Sequence, residues 1–183
     1  MRKYWGPLYW YMLHSIVNNF PQSPTINDVS TYNAFLHLFI NLIPCSVCKA
    51  HFTTLIHNYP INISLTSDLK TWAFNAHNLV NAKHKKKIFT FVEYEIMYKI
   101  IDHKKISKFV LYIMKQVYDR QLDVSLLINL ITFLRVIHPC LRCRFKLNKY
   151  CKKTKFVKEI TLTHLKPWLE KWFNVERDHK IKN

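Results

Sequence analysis

The chain has 183 residues, enough for one ordinary domain or two small ones, and at 49% apolar and 15% aromatic it can bury a core. Its single glycine, Gly6, excludes glycine-rich phosphate loops and dinucleotide fingerprints and disfavours β-hairpin architectures, leaving an all-α protein as the expectation. Twenty-eight Lys and Arg against 11 Asp and Glu give a formal charge of +17, which suits an anionic partner but does not identify one.

Apolar residues recur at helical spacing through most of the chain. Trp5, Tyr9, Met12 and Ile16 mark a first helix, closed by Asn18, Asn19 and Pro21. Val29, Tyr32, Leu36, Phe39 and Ile43 mark a second, with Asp28 as its N-cap. Leu69, Trp72, Ala76 and Val80 mark a third, opened by Thr66, Ser67 and Asp68. A fourth starts at Thr90, where Thr90 and Glu93 have capping-box spacing, and runs through Tyr94, Met97 and Ile101. Four short amphipathic helices joined by short loops predict an up-and-down bundle. No stretch is apolar enough to span a membrane, and the start of the chain has no apolar signal core, so a cytoplasmic protein is expected.

The second half repeats features of the first. An apolar helix ends in Pro44-Cys45-Ser46-Val47-Cys48, and another in Pro139-Cys140-Leu141-Arg142-Cys143, at an offset of 95 residues. The segment Leu69-Lys70-Thr71-Trp72 returns as Leu165-Lys166-Pro167-Trp168 at an offset of 96. Near-equal offsets point to duplication of one structural unit.

Four of the five cysteines form the two Cys-x-x-Cys pairs. Such pairs make zinc sites, but ribbons and fingers place the second pair within about 20 residues, and here three predicted helices intervene. The other reading is a redox dithiol. Pro44 and Cys45 follow one helix and can open the next, with Pro near its first position, and a helix N-terminus favours thiolate over thiol. Spacing alone admits both readings.

The surroundings of the first pair separate them. Trp5-Gly6, Trp10, Leu13 and His14 precede it, and His77-Asn78-Leu79-Val80-Asn81 follows, with Lys83, Lys86 and Tyr94 beyond. These three blocks, in this order, resemble the Erv/ALR family of FAD-linked sulfhydryl oxidases, and the tract from 77 to 99 resembles the small oxidases of large cytoplasmic DNA viruses. The likeness covers about the first hundred residues.

The resemblance implies an FAD-binding oxidase domain over residues 1–103. Cys45 and Cys48 would be catalytic, and Trp10, His14, Cys48, His77, Asn81, Lys83, Lys86 and Tyr94 would contact FAD. Substrate thiols would reduce the pair at Cys45, and Cys48 would pass the electrons to FAD and on to O2, giving H2O2. A dithiol protein or a thioredoxin-like relay protein is the implied partner, with no membrane, nucleic acid or metal expected. Residues 104–183 would be a degenerate second helical bundle without FAD, since Phe173-Asn174-Val175-Glu176-Arg177 stands where the His77 motif would recur. It would make an internal pseudo-dimer, with homodimerisation left open. Cys140 and Cys143 would be a structural disulfide or a relay, and Cys151 is left over. Host cytoplasm or a virion is the implied site of action. The competing readings are a zinc-stabilised basic nucleic-acid-binding module and an inactive structural virion protein.

Overall fold

The computed structural model describes residues 2–61, 63 and 66–153, and among these it holds eight α-helices and no strand. The all-α expectation stands. The helices are α1 (Arg2–Val17), α2 (Ile26–Asn41), α3 (Ser46–Asn58), α4 (Thr66–Lys83), α5 (Phe91–Tyr98), α6 (His103–Tyr118), α7 (Val124–Ile137) and α8 (Leu141–Lys153). The chain divides into two compact units between Ile101 and Asp102, so residue 103, placed with the first segment from sequence, begins the first helix of the second unit. No helix among the described residues is long and apolar enough to cross a membrane. The expected repeat around Trp168 and residues 173–177 lies outside the described residues.

In the first unit α1 to α4 form a four-helix bundle, and α5 is a short helix packed on α1. Helix α1 is buried along its second half (Tyr9, Tyr11, Met12, Leu13, Ile16, Val17), as a helix apolar on all sides must be. Phe35, Leu42 and Leu69 join it in the core. Polar handles on aromatic rings then fix the register. The Tyr9 hydroxyl donates to the carbonyl of Leu42, at the end of α2 and just before Cys45. The Trp72 indole donates to the carbonyl of Tyr59 at 2.9 Å, tying α4 to the end of α3. Tyr94 on α5 donates to Asn18 Oδ1 at 2.7 Å, and Tyr11 donates to the carbonyl of Ile100 at 3.3 Å.

Three sequence readings need correction. Helix α2 begins at Ile26 and its cap is Thr25, not Asp28; Asp28 is the third residue of the helix. Its carboxylate accepts from the Thr25 N–H at 2.8 Å while the Thr25 hydroxyl accepts from the Asp28 N–H at 3.1 Å, a capping box with Asp in the usual Glu position. Pro44 stands before the cap Cys45 rather than inside α3. The four helices marked by periodicity are α1, α2, α4 and α5, so the periodicity misses α3. Only Phe52 of α3 is buried, and its Ser, Thr and His residues blur the period.

Thr90 caps α5 in a second capping box with Glu93, as the spacing predicts. Thr90→Ala is expected to lower the stability of the first unit by about 1 kcal/mol. A thermal melt reads the loss directly, and an unchanged midpoint would mean α5 is held by its side chains alone.

In the second unit α6 buries Ile106, Phe109, Val110, Ile113 and Val117, and α7 buries Leu127, Leu130, Ile131, Leu134 and Ile137. Both rows follow the 3.6-residue period. Helix α8 packs on α7 through Cys143, Leu147 and Cys151, four residues apart. A reciprocal pair fastens the two: Arg135 Nε donates to Asn148 Oδ1 at 3.1 Å, and Asn148 Nδ2 donates to the carbonyl of Arg135 at 2.8 Å.

Candidate active site

Cys45 and Cys48 form a disulfide at the N-terminus of α3, with Cα atoms 5.1 Å apart. Cys45 is the N-cap residue: its backbone is extended (φ −94°, ψ 111°), and its Sγ accepts the Cys48 N–H at 3.2 Å. The geometry has a chemical consequence. A sulfur that gains negative charge when the disulfide opens does so beside an N–H group and the positive end of a helix dipole, which holds it as thiolate. Both cysteines are half-buried, so the pair can be reached from solvent.

Helix α3 carries this pair toward an aromatic stack. Phe52 lies one turn beyond Cys48 on the same face and meets Trp10 edge-on, with centroids 5.9 Å apart. Trp10 in turn stacks on His77 at 4.1 Å and 10°. His14, one turn after Trp10 on α1, lies 5.7 Å from the Trp10 ring and 5.1 Å from His77. Tyr98 and Tyr94 of α5 close the far side at 4.4 and 5.0 Å from His14. Helices α1, α4 and α5 each contribute to one cluster, which α1 can organise because α4 and α5 both pack against it.

The electrostatics of the cluster are set by burial. His14 Nε2 and His77 Nδ1 lie 2.9 Å apart and share one hydrogen. Burial drives His14 well below the ordinary imidazole value, with the neighbouring His77 adding to the effect. Burial, then the Lys86 ammonium, brings His77 down to about 4. Both rings are therefore neutral at pH 7. His14 Nδ1 is buried and has no hydrogen-bond partner among the described residues. Tyr94 is pushed above the ordinary tyrosine range, first by burial and then by Tyr98, so it remains a phenol that can donate to Asn18.

Of the residues singled out from sequence, Trp10, His14, His77 and Tyr94 come together in this cluster. Asn81, one turn beyond His77, is buried, and its carbonyl accepts the Lys86 N–H at 2.9 Å. Lys83 and Lys86 are exposed where the chain leaves α4, and the turn between them passes through Lys85 at a φ of 52°. Sequence reasoning missed Phe52, Tyr98 and the role of Asn78. The Asn78 amide binds the returning chain at both of its ends, Nδ2 donating to the carbonyl of Phe89 at 2.9 Å and Oδ1 accepting its N–H at 3.0 Å. That clasp brings Phe89 to 5.5 Å from His77. The four-residue spacing of Tyr94 and Tyr98 is the signal that could have found their shared ring face.

A helix-capping disulfide joined by stacked aromatic rings to a pair of neutral histidines, carried on a four-helix bundle, defines a thiol–disulfide redox centre built to meet a flat cofactor. Residues 7–99 match the Erv1 / Alr family, and the chain belongs to it. The first hundred residues are 30% identical over 95 positions to the FAD-linked sulfhydryl oxidase of an African swine fever virus isolate, covering 52% of this chain and 80% of that protein. They are 33% identical over 89 positions to the yeast FAD-linked sulfhydryl oxidase ERV2, covering 49% of this chain and 45% of ERV2, so the chain spans less than half the length of that relative. A crystal structure of a double cysteine-to-serine mutant of Erv1 from Saccharomyces cerevisiae superimposes with a TM-score of 0.51 at 27% identity, covering 54% of this chain and 84% of that one.

Proposed function

We propose that this chain is an FAD-dependent thiol oxidase whose first unit carries the reaction. The observation that supports it most is the disulfide capping α3, joined through Phe52 and Trp10 to the neutral His14–His77 pair. The residues present suit FAD. The orphan Nδ1 of His14 waits for a polar partner, flat rings line the cluster, and Lys83 and Lys86 supply exposed cations for a diphosphate at the end of α4. Trp10, His14, His77, Asn81, Lys83, Lys86 and Tyr94 would hold it, with Cys48 beside it.

In the reductive half of the cycle a substrate thiolate attacks Cys45 Sγ, and the Cys45–Cys48 bond breaks with the electron pair leaving on Cys48. The positive end of the α3 dipole stabilises the thiolate that results on Cys48, while the Cys48 N–H faces Cys45 Sγ, ready for the charge that sulfur takes when it leaves the mixed disulfide. A second substrate thiolate then attacks the mixed disulfide and releases the substrate as a disulfide. Two electrons have now passed from substrate to the pair, and two protons come with them. FAD, when bound, supplies a two-electron acceptor that returns the electrons to O2 as H2O2. The cluster contributes neutral rings, with the Lys86 ammonium as the cation that acts on His77.

The substrate class that fits is a protein dithiol or a thioredoxin-like relay protein. The second unit is read as a copy that has lost the flavin site. Support comes from its order of helix, helix, Pro-Cys-x-x-Cys and helix, the same order as α1 to α3. Likeness to viral oxidases supports action in a host cytoplasm, with packaging in a virion as part of the same proposal.

The test is the absorbance spectrum of the purified full-length protein followed by oxygen uptake with a dithiol. A bound flavin near one per chain and dithiol-dependent peroxide formation are expected. A colourless protein without oxygen uptake would refute the oxidase, and a flavin ratio near two would refute the reading of the second unit.

A further inference from the structure

The second Cys-x-x-Cys pair differs from the first in one respect that matters chemically. Cys140 and Cys143 are not joined as a disulfide, and an imidazole faces them. His103, the first residue of α6, places its Nδ1 3.7 Å from Cys143 Sγ. The ligand atoms of His103, Cys140 and Cys143 all lie within 4.8 Å of one another, with Cys143 buried and the other two half-buried.

We propose that His103, Cys140 and Cys143 form a zinc-binding site in the second unit. In tetrahedral zinc, bonds of about 2.0–2.1 Å to imidazole nitrogen and about 2.3 Å to thiolate place those two atoms roughly 3.6 Å apart. The sulfur–nitrogen separation already matches. The sulfur–sulfur edge of such a tetrahedron is about 3.8 Å, so ligand atoms that all lie within 4.8 Å of one another need at most roughly 1 Å of side-chain movement. Two thiolates and one neutral imidazole neutralise the divalent charge and are the soft and borderline donors that select zinc over magnesium or calcium.

The backbone is arranged for this set. Cys140 precedes α8, and its Sγ accepts the Cys143 N–H at 3.5 Å, so both cysteines stand at the N-terminus of that helix. The Cys140 N–H donates to His138 Nδ1 at 3.0 Å, and Arg144 donates to the carbonyl of His138 at 2.9 Å, which fixes the His138-Pro139-Cys140 turn. His103 arrives from another helix altogether, held by the cap that Asp102 makes with Lys105. Three donors from two elements converge among the described residues, with His103 and Cys140 half-buried. Binding is a proton exchange and not a redox step: zinc and two thiols give a zinc dithiolate and release two protons. This departs from the expectation that the chain holds no metal, and it uses one cysteine pair rather than both.

The site is tested on the full-length Cys45→Ser/Cys48→Ser protein, which removes the first pair and so separates this proposal from the oxidase reading. The reduced, chelator-stripped protein is titrated with zinc chloride and, in parallel, with cobalt(II) chloride. One metal per chain, an intense tetrahedral cobalt–thiolate spectrum and release of about two protons are expected. Cys140→Ser and Cys143→Ser should each lose the spectrum. His103→Ala should weaken binding by more than the roughly 10–100-fold that loss of an outer-shell partner costs. Should the cysteine variants fail to fold, alkylation mapped by mass spectrometry on the parent protein gives the same answer, with zinc protecting Cys140 and Cys143 and a chelator restoring their reactivity. Absence of stoichiometric uptake, uptake indifferent to His103→Ala, or isolation of a Cys140–Cys143 disulfide that resists reduction would each overturn the site.

Discussion

Replacing either Cys45 or Cys48 with serine is expected to reduce dithiol-dependent oxygen uptake by about 1,000-fold or more while leaving the helical circular dichroism intact. Serine cannot form the mixed disulfide, and the remaining thiol has no partner in the first half of the chain, where these are the only cysteines. Folding should survive for two reasons. The disulfide joins residues only three apart, so it constrains the unfolded chain little. Serine at position 45 is also an effective N-cap whose hydroxyl can take over the Cys48 N–H that the sulfur now accepts. Flavin should remain bound in both variants, which separates lost electron entry from lost cofactor. Wild-type turnover in either variant would remove the pair from the reaction.

The parts of this centre that are legible in sequence are those carried by rigid periodicity. Trp10 and His14 are one turn apart, as are His77 and Asn81, and a bundle turns such pairs into facing surfaces. Thr90 and Glu93 announce α5 because a capping box is a local device, written entirely within four residues. Helix α3 is harder to count, since a helix that buries one side chain leaves almost no period to read. Phe52, Phe89 and Tyr98 escape because their importance depends on which rings they meet, and those rings belong to other segments of the chain. The His103 cluster is equally silent. Forty residues separate His103 from Cys143, and only the packing of the second unit brings an imidazole to that sulfur.

The same imidazole pair, His14 buried and His77 half-buried, makes the first unit sensitive to acid. His77 falls from an ordinary 6.5 to about 4, and His14 moves in the same direction. Between these values the unfolded chain binds protons that the folded unit refuses, so stability is lost as pH falls from about 6.5 and the loss levels off once the folded histidine titrates. For His77 alone the shift corresponds to about 3 kcal/mol. In a unit of roughly 100 residues that is a fall of about 10–25 °C in the unfolding midpoint. Glu93 acts in a different range: it is held below its usual value by Lys87 and Thr90, so its contribution is lost at lower pH. His77→Phe keeps a ring against Trp10 and removes one of the two titrating groups, so it should make the profile between pH 6.5 and 4 shallower, leaving the part that burial of His14 contributes. Calorimetry across that range decides the matter. A midpoint independent of pH would mean that the histidines take up protons equally in the folded and unfolded chain, and it would overturn the neutral His14–His77 pair, which at 2.9 Å cannot hold two cations without repulsion.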